Sequence, residues 1–274
     1  MTRAPTTPPS RNDVNLFRAV AADAALISGR LQKARLGSDI GIENKGELDL
    51  VTEVDRACEI AILDRLHRSF PTHDVVAEES VPSLSGSEFV WYVDPLDGTT
   101  NYAHSYPFFC TSVALTRAGE VIASAIYDPV KDELFTAARG QGATCNGVPL
   151  RVTRATDLLR SVFLTGFPYD LRDDVRHTLR LFERFLHHAR ALRRDGAAAL
   201  DLAYLAAGRI DGYFEERLQP WDVLAGSLMV EEAGGRITRF DGSPIGLSAE
   251  EVVASNGALH EAMLRVLAED APSR

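Results

Sequence analysis

One stretch, residues 89–106, constrains this chain of 274 residues more than any other. It opens with an apolar, aromatic and β-branched run typical of a buried strand, which Asp94 and Pro95 are expected to end. Asp97 and Gly98 give a second turn signal, and the Thr-Thr-Asn sequence after them is typical of a helix start. Carboxylates suit Mg²⁺ and the N–H groups of a helix start suit phosphate, so the stretch predicts a joint metal and phosphate site. An ordinary pair of turns explains the same residues.

The composition excludes several classes of protein. A hydrophobic share of 45% and a charged share of 25% are ordinary for a globular enzyme. The net charge of −10, without any basic block, argues against a nucleic-acid partner and means that an anionic substrate would need cations in the site. Three widely spaced cysteines fit a reducing cytoplasm, and no apolar run approaches the roughly 18 residues of a membrane span. A cytoplasmic protein that binds no membrane is expected.

The predicted organisation is a short tail followed by one domain. Residues 1–12 lack the apolar segment of a signal peptide and are expected to be a disordered tail. The helical spacing of apolar residues over 12–36 predicts a first helix. Residues 13–274 are expected to form a single domain, with a metal-binding half at 13–152 and an α/β half at 153–274.

Acidic residues follow several of the predicted element boundaries. Thr52 suits the N-cap of a second helix and Asp55 its capping-box acid, a role that competes with any catalytic role for Asp55. The next predicted strand runs into Glu78, just as residues 89–93 run into Asp94. Paired glutamates are common on protein surfaces, but two neighbouring strands that end in carboxylates at one sheet edge would form a cation site.

The remaining sequence predicts a mixed α/β fold. Residues 108–152 have the alternation and turn spacing of a β-meander, and the second half alternates strands with helices. One helix opens with Pro220 and Asp222 in its first turn, where an acid complements the helix dipole. The elements expected in the second half are strands at 161–167, 210–215, 237–240 and 252–254 and helices at 173–188, 196–207, 218–233 and 257–267.

Several motifs, taken in order, resemble those of the inositol monophosphatase family. They are Asp49-Leu-Val-Thr-x-x-Asp55, Glu78-Glu79-Ser80, Trp91-x-x-Asp94-Pro-Leu-Asp97-Gly-Thr-Thr-Asn-Tyr-x-His104, Trp221-Asp222-Val and Glu231-Glu-Ala-Gly234-Gly235. The match covers nearly the whole chain from about residue 13. The resemblance implies an α/β (α+β layered) fold, a five-layer α/β/α/β/α sandwich of the inositol monophosphatase and fructose-1,6-bisphosphatase type, usually a homodimer.

The resemblance also implies roles for individual residues. Two or three Mg²⁺ ions per site would be bound by Glu78, Asp94, the Leu96 carbonyl, Asp97 and Asp222. The catalytic residues would be Thr99 and Asp55, which position the attacking water, together with Glu78. The substrate contacts would be Gly98, Thr99, Gly196, Ala197, Glu215 and Asp222. Two further loop contacts would come from Lys45, in a Gly-rich loop expected over 37–46, and Asp49.

The implied activity is Mg²⁺-dependent, lithium-sensitive hydrolysis of a small polyol phosphate, most readily myo-inositol 1-phosphate, without a phosphoenzyme. The chain has no Cys-x₅-Arg, Asp-x-Asp-x-Thr or Arg-His-Gly motif of a covalent phosphatase and no P-loop. Glu215, at a strand end, would bind a polyol hydroxyl, and a surface acid is the alternative. Fructose 1,6-bisphosphate, histidinol phosphate and NADP stay open as substrates.

A non-catalytic regulatory or binding homologue is the alternative from another class of protein. Its mark would be the loss of metal ligands, whereas every expected acid is present. The sequence departs from the family pattern at Leu224, where a small residue is usual, and at Asp195, where Ser or Pro is frequent. Both departures concern packing or a substrate loop rather than the metal ligands.

Overall fold

The computed structural model describes residues 9–38, 40–44, 50–168, 172, 174–248 and 250–269. Lys45 and Asp49, the expected loop contacts, lie outside the described residues. The helices are α1 (Arg11–Arg35), α2 (Glu53–Ser69), α3 (Thr99–Ala103), α4 (Val175–His188), α5 (Ala198–Ala206), α6 (Pro220–Glu232) and α7 (His260–Ala268). Within these ranges, no helix is both long enough and apolar enough to cross a bilayer.

The strands fall into two main sheets. The first half contributes β3 (Asp74–Ala77), β4 (Phe89–Asp97), β5 (Cys110–Arg117), β6 (Glu120–Asp128), β7 (Glu133–Ala138), β8 (Ala143–Cys145) and β9 (Val148–Pro149), which neighbour one another in that order. The second half contributes β10 (Val162–Thr165), β11 (Ala191–Arg193), β12 (Gly212–Glu216), β13 (Arg236–Thr238) and β14 (Glu251–Ser255), in the order β11-β10-β12-β14-β13. A short pair, β1 (Ile42–Asn44) and β2 (Leu50–Thr52), precedes α2.

The elements stack as five layers, which confirms the predicted α/β sandwich. Helices α1 and α2 cover one face of the first sheet, and α5 and α6 lie between the two sheets. Helices α4 and α7 cover the outer face of the second sheet. Each sheet is thus buried on both faces, which is why the strands β5 and β6 are almost continuously buried rather than alternating.

Three boundaries differ from the sequence prediction. Helix α1 begins at Arg11 because Ser10 and Asp13 form a capping box, so Arg11 and Asn12 are helical rather than part of the tail. Strand β1 lies inside the loop expected over 37–46, and β11 was not predicted at all. Both strands have three residues, which is too short for a periodic pattern to be recognised.

The sequence prediction that Asp94 and Pro95 end the strand is wrong. Strand β4 continues to Asp97, and its pairing with β5 shifts from Asp94 opposite Ser112 to Asp97 opposite Cys110. Three steps on β4 therefore face two on β5, which is a β-bulge. A bulge tolerates Pro95 because the missing N–H removes no regular ladder hydrogen bond.

Helix α1 holds this bulge from behind. The Pro95 carbonyl accepts hydrogen bonds from the Ser28 hydroxyl at 2.9 Å and from the Gln32 amide at 2.8 Å. The Gln32 amide also donates to the Thr111 hydroxyl at 2.8 Å, and all three polar side chains are fully buried. The Pro95 carbonyl is thus satisfied inside the core, whereas the buried side-chain oxygen of Gln32 has no hydrogen-bond partner among the described residues.

Candidate active site

A cavity of about 370 Å³ opens where β3 and β4 end. One wall comes from the first sheet and the short helix α3, and the other comes from β12 and the starts of α5 and α6. The predicted site residues that line it are Glu78, Asp94, Leu96, Asp97, Gly98, Thr99, Gly196, Ala197, Glu215 and Asp222. Positions that are far apart in sequence therefore share one cavity.

Two acids leave the first sheet side by side. Strands β3 and β4 run parallel, with Ala77 paired to Val93, so that Glu78 and Asp94 follow at the same sheet edge. The Glu78 N–H donates to the Val93 carbonyl at 3.2 Å, which extends the pairing by one step. Glu78 and Asp94 therefore lie side by side as predicted, although Asp94 is inside β4 rather than at its end.

Gly98 forms the corner between β4 and α3. It is the N-cap of α3 and has a φ of 90°, whereas the sequence analysis assigned the capping to the Thr-Thr-Asn residues that follow it. A Cβ at Gly98 would lie 3.1 Å from the Phe108 carbonyl oxygen, so both the left-handed backbone and the close approach require glycine. Because of this corner, Asp97, Gly98 and Thr99 all line the cavity.

Asp55 serves the helix cap and the site at once. Its Oδ2 accepts hydrogen bonds from the N–H and the hydroxyl of Thr52, which completes the predicted capping box of α2. Its Oδ1 accepts the Thr99 hydroxyl at 3.0 Å. Burial raises the pKa of Asp55, and the hydrogen bonds from Thr52 and Thr99 oppose that rise. The two roles that competed in the sequence are therefore compatible, because the carboxylate has two oxygens.

The second half of the chain contributes Asp222 and backbone N–H groups that bond to the acids. Asp97 Oδ2 accepts the Ala199 N–H at 2.8 Å, at the start of α5. Asp222 lies in the first turn of α6, where its Oδ2 accepts the Gln219 N–H at 2.8 Å. Asp222 thus complements the α6 dipole, as one sequence interpretation held, and also lines the cavity.

The acids raise one another's proton affinity. Burial is the first cause of the raised pKa of Asp94, Asp97 and Asp222, and the pKa of Asp97 reaches about 6. For Asp94, the charges of Glu78, Asp97 and Asp222 add to that effect. For Asp97, N–H groups at the start of α5 oppose it. A site with this much buried negative charge is stabilised by cations.

The donor set fits Mg²⁺. Carboxylate oxygens and one backbone carbonyl are the hard ligands that this ion prefers. Among the described residues, no three His, Cys, Asp or Glu side chains are placed so that they could hold a metal ion together as they stand. An open arrangement suits Mg²⁺, which keeps several of its waters and uses a few carboxylates together with substrate phosphate oxygens.

Glu215 faces the acids from the second half. It stands on β12, half-buried, and its carboxylate accepts the Tyr213 hydroxyl. A Cβ at Gly166 would lie 1.9 Å from Glu215 Oε1, so the carboxylate packs directly on that glycine. Burial raises the pKa of Glu215 to about 7, although the Tyr213 hydroxyl and the Arg194 charge oppose the rise.

Asn101 and Arg194 contribute to the site in ways that were not predicted from the sequence. The Asn101 amide donates to the carbonyls of Phe108 at 2.7 Å and Asp195 at 2.8 Å, which joins the first-half corner to the loop before α5. Asn101 was part of a recognised motif, and its place after a turn could have suggested a link between loops. Arg194 lines the cavity with its guanidinium 5.6 Å from the Phe167 ring centroid, and no pattern in the sequence marked it.

The two departures from the family pattern have small structural effects. Asp195 bonds to Asn101 through its carbonyl oxygen, a contact that does not depend on its side chain. Leu224 is 1% exposed and packs in the core between the two sheets. Neither residue contributes a side chain to the cavity.

The layered fold and the acid-lined cavity define the class of protein, and comparisons with known proteins give the family. A model of the inositol monophosphatase family matches residues 13–271. The inositol-1-monophosphatase of Synechocystis sp. is 39% identical over 261 residues, which cover 94% of this chain and 91% of that protein. The Nus factor SuhB of Escherichia coli K12 is 41% identical over 249 residues, covering 89% and 93%.

A solved structure agrees with these sequence matches. The inositol monophosphatase of Anabaena (Nostoc) sp. PCC 7120 superposes with a TM-score of 0.85 and 40% sequence identity, covering 93% of this chain and 96% of that one. The chain therefore belongs to the inositol monophosphatase family and is a phosphoric monoester hydrolase by class.

Proposed function

We propose that the chain is a Mg²⁺-dependent phosphomonoesterase that hydrolyses a small polyol phosphate, most readily myo-inositol 1-phosphate, to the polyol and phosphate. The observation that carries this proposal is the cavity itself, a space of about 370 Å³ lined by Glu78, Asp94, Asp97 and Asp222 and also by Glu215 and Glu216. The members of this family are metal-dependent, and the gathering of Glu78, Asp94, Asp97 and Asp222 in one cavity, with Asp94 and Asp97 buried, gives the physical reason.

Glu78, Asp94, Asp97, Asp222 and the Leu96 carbonyl would hold two or three Mg²⁺ ions. When bound, the ions would supply positive charge for an activated water, for the phosphoryl oxygens and for the leaving alcohol. Gly98 and Thr99, at the corner after β4, would direct their N–H groups at the phosphate. No covalent intermediate with the protein is needed.

Thr99 would position the attacking water. Asp55 already accepts two hydrogen bonds from Thr52 on Oδ2, and the Thr99 hydroxyl has two acceptors at 3.0 Å, Asp55 Oδ1 and the Leu96 carbonyl oxygen. A hydroxyl that donates its proton to a carboxylate keeps its lone pairs for a water on the other side. Because Asp55 is fixed by the α2 cap, the Thr99 hydroxyl is oriented before substrate arrives.

Glu215 would recognise the alcohol, since it stands across the cavity from the metal ligands and accepts hydrogen bonds. Gly196 and Ala197, which also line the cavity, would contact the substrate from the start of α5. Fructose 1,6-bisphosphate, histidinol phosphate and NADP carry the same phosphoryl group and differ in the part that would meet Glu215. Inhibition by Li⁺, a homodimeric assembly and a cytoplasmic location complete the proposal by family resemblance.

A second candidate function is a regulatory or binding role. The observation that favours it is the name of several relatives, Nus factor SuhB, at about 41% identity. The complete set of acids in the cavity favours catalysis for this chain. A binding role and a catalytic role are compatible on different surfaces of one protein.

The test is phosphate release from a panel of phosphomonoesters with and without Mg²⁺. We expect hydrolysis that requires Mg²⁺, that stops when EDTA is added, and that favours myo-inositol 1-phosphate over fructose 1,6-bisphosphate, histidinol phosphate and NADP. Full activity in metal-free buffer would contradict the metal-dependent mechanism. A strong preference for another ester would keep the chemistry and change the substrate.

A further inference from the structure

Glu59 is a buried acid that has no assigned role in the reaction. It lies on α2, is 4% exposed, and follows Asp55 by four residues, so both carboxylates are on one face of the helix. Glutamate is rarely buried to this extent unless its charge is paired or hydrogen-bonded. The contact that Glu59 makes therefore identifies what the buried charge does.

That contact is with the turn that carries Glu78. Glu59 Oε2 accepts the Glu79 N–H at 2.8 Å, one peptide beyond the proposed metal ligand. On the other side, the Glu78 N–H donates to the Val93 carbonyl at 3.2 Å. The turn after β3 is thus held by the first sheet at one residue and by α2 at the next. A backbone N–H that donates to an ionised carboxylate makes a stronger bond than one between neutral groups.

The same helix also holds the other catalytic corner. Asp55 Oδ1 accepts the Thr99 hydroxyl at 3.0 Å, and the capping box with Thr52 fixes Asp55 relative to the helix start. The two carboxylates of α2 consequently reach two different loops, the turn after β3 and the corner after β4. The distance between those loops is set by one rigid turn of helix, about 6 Å along the axis between residues four apart.

We propose that Glu59 is a positioning residue: by accepting the Glu79 N–H, it fixes the turn that carries Glu78 to the helix that orients Thr99. The proposal rests on the proposed function, because it needs Glu78 to bind Mg²⁺. A group that orients a metal ligand without touching the ion typically changes metal affinity or activity by about 10- to 100-fold when it is removed. The expected effect therefore appears in Mg²⁺ binding itself as well as in catalysis.

The experiment is a calorimetric titration of the purified protein with Mg²⁺ in the absence of substrate, followed by kinetics. Glu59→Ala should weaken Mg²⁺ binding by about tenfold or more and lower kcat at limiting Mg²⁺, with much of kcat recovered at saturating Mg²⁺. Glu59→Gln should restore most of the affinity, because its amide oxygen still accepts the Glu79 N–H. Glu59→Asp keeps the charge but is one methylene shorter, so it should behave like Glu59→Ala.

Ile62→Val is the matched control. Ile62 is fully buried on the same helix, and the substitution should cost about 0.5 to 1.5 kcal/mol of stability without touching the Glu79 turn. It should leave Mg²⁺ affinity unchanged. If Glu59→Ala and Glu59→Asp lose stability but bind Mg²⁺ as tightly as the unmodified protein, Glu59 is only a structural acid. If the unmodified protein binds no Mg²⁺, the proposed function fails and this proposal with it.

Discussion

The two walls of the cavity are built in different ways. On the first-half wall, Asp94, Asp97, Gly98 and Thr99 come from one bulge and the turn that follows it, so a short stretch of sequence places them. On the second-half wall, Glu215 and the other lining residues come from separate elements: the end of β10, the starts of α5 and α6, and β12. In the proposed reaction, the first-half wall and Asp222 act on the phosphoryl group, and Glu215 recognises the alcohol.

The walls are joined by hydrogen bonds that cross between the halves. Asn101 donates to the Asp195 carbonyl, Asp97 accepts the Ala199 N–H, and the Ser112 hydroxyl donates to the Trp221 carbonyl at 2.9 Å beside Asp222. In each of these bonds, the second half contributes a backbone group. These three bonds therefore do not depend on the side chains of the second half.

The largest effect is expected from Asp94→Asn, which removes charge from the first-half wall. Activity should fall by at least about a hundredfold on myo-inositol 1-phosphate and on glycerol 2-phosphate alike, because both carry the same phosphoryl group. The metal-free variant should be at least as stable as the unmodified protein, since Asn removes a buried charge that Glu78, Asp97 and Asp222 repel. Kinetics on both esters and thermal unfolding in EDTA measure these outcomes. A variant that keeps its activity would make Asp94 only a turn residue.

Glu215→Gln should distinguish recognition of the alcohol from chemistry at the phosphoryl group. A ligand that lacks the matching hydroxyls leaves the half-buried Glu215 carboxylate with only its Tyr213 hydrogen bond, at a cost of roughly 1 to 3 kcal/mol. The variant should lose about ten- to a hundredfold in kcat/KM on myo-inositol 1-phosphate and much less on glycerol 2-phosphate. Glu251→Gln is the matched control, because this carboxylate, on the neighbouring strand β14, pairs with Arg239 and does not line the cavity. Equal losses on both esters would show that Glu215 supports the metal site or the fold.

Gly166→Ala tests the same wall while keeping Glu215. The added Cβ would meet Glu215 Oε1, so the carboxylate must move, and overpacking of this kind costs about 1 to 3 kcal/mol. We expect a loss of roughly tenfold, selective for the polyol ester. Added to Glu215→Gln, the substitution should have little further effect on selectivity, because both act on one contact. Additive losses in the double variant would mean that Gly166 acts elsewhere.

The smallest effect on activity is expected from His260→Gln, which lies in the scaffold away from the cavity. Burial lowers the pKa of His260 to about 4, and its ring nitrogens bond to Thr238 and Ser255. In the unfolded chain, His260 takes up a proton below about pH 6.5, whereas in the folded protein it does so only near pH 4. The folded protein therefore loses stability as the pH falls from 6.5 through 4. The resulting decrease in the free energy of unfolding approaches about 3 kcal/mol. Unfolding free energies across this range should fall less steeply for the variant, and parallel profiles would exclude His260 as the cause.

The sequence by itself determined the elements whose signals are local. The capping box of α2 appears as predicted, since it needs only Thr52 and Asp55, three residues apart. The β-meander and the position of Glu78 just after β3 also follow from alternation and turn residues within short windows. The family resemblance rests on motifs of the same local kind, and the family match and the fold confirm it.

The tertiary structure alone decided where these local pieces meet. Pro95 ends a strand by its own preferences, yet β4 continues through a bulge because Ser28 and Gln32 of α1 satisfy the Pro95 carbonyl from 60 or more residues away. Asp222 was as well explained by the α6 dipole as by a site, and Glu59 gave no signal until its contact with the Glu79 N–H was seen. The reason is physical: caps and turns are fixed by neighbours in sequence, whereas a cavity is fixed by the packing of layers around it.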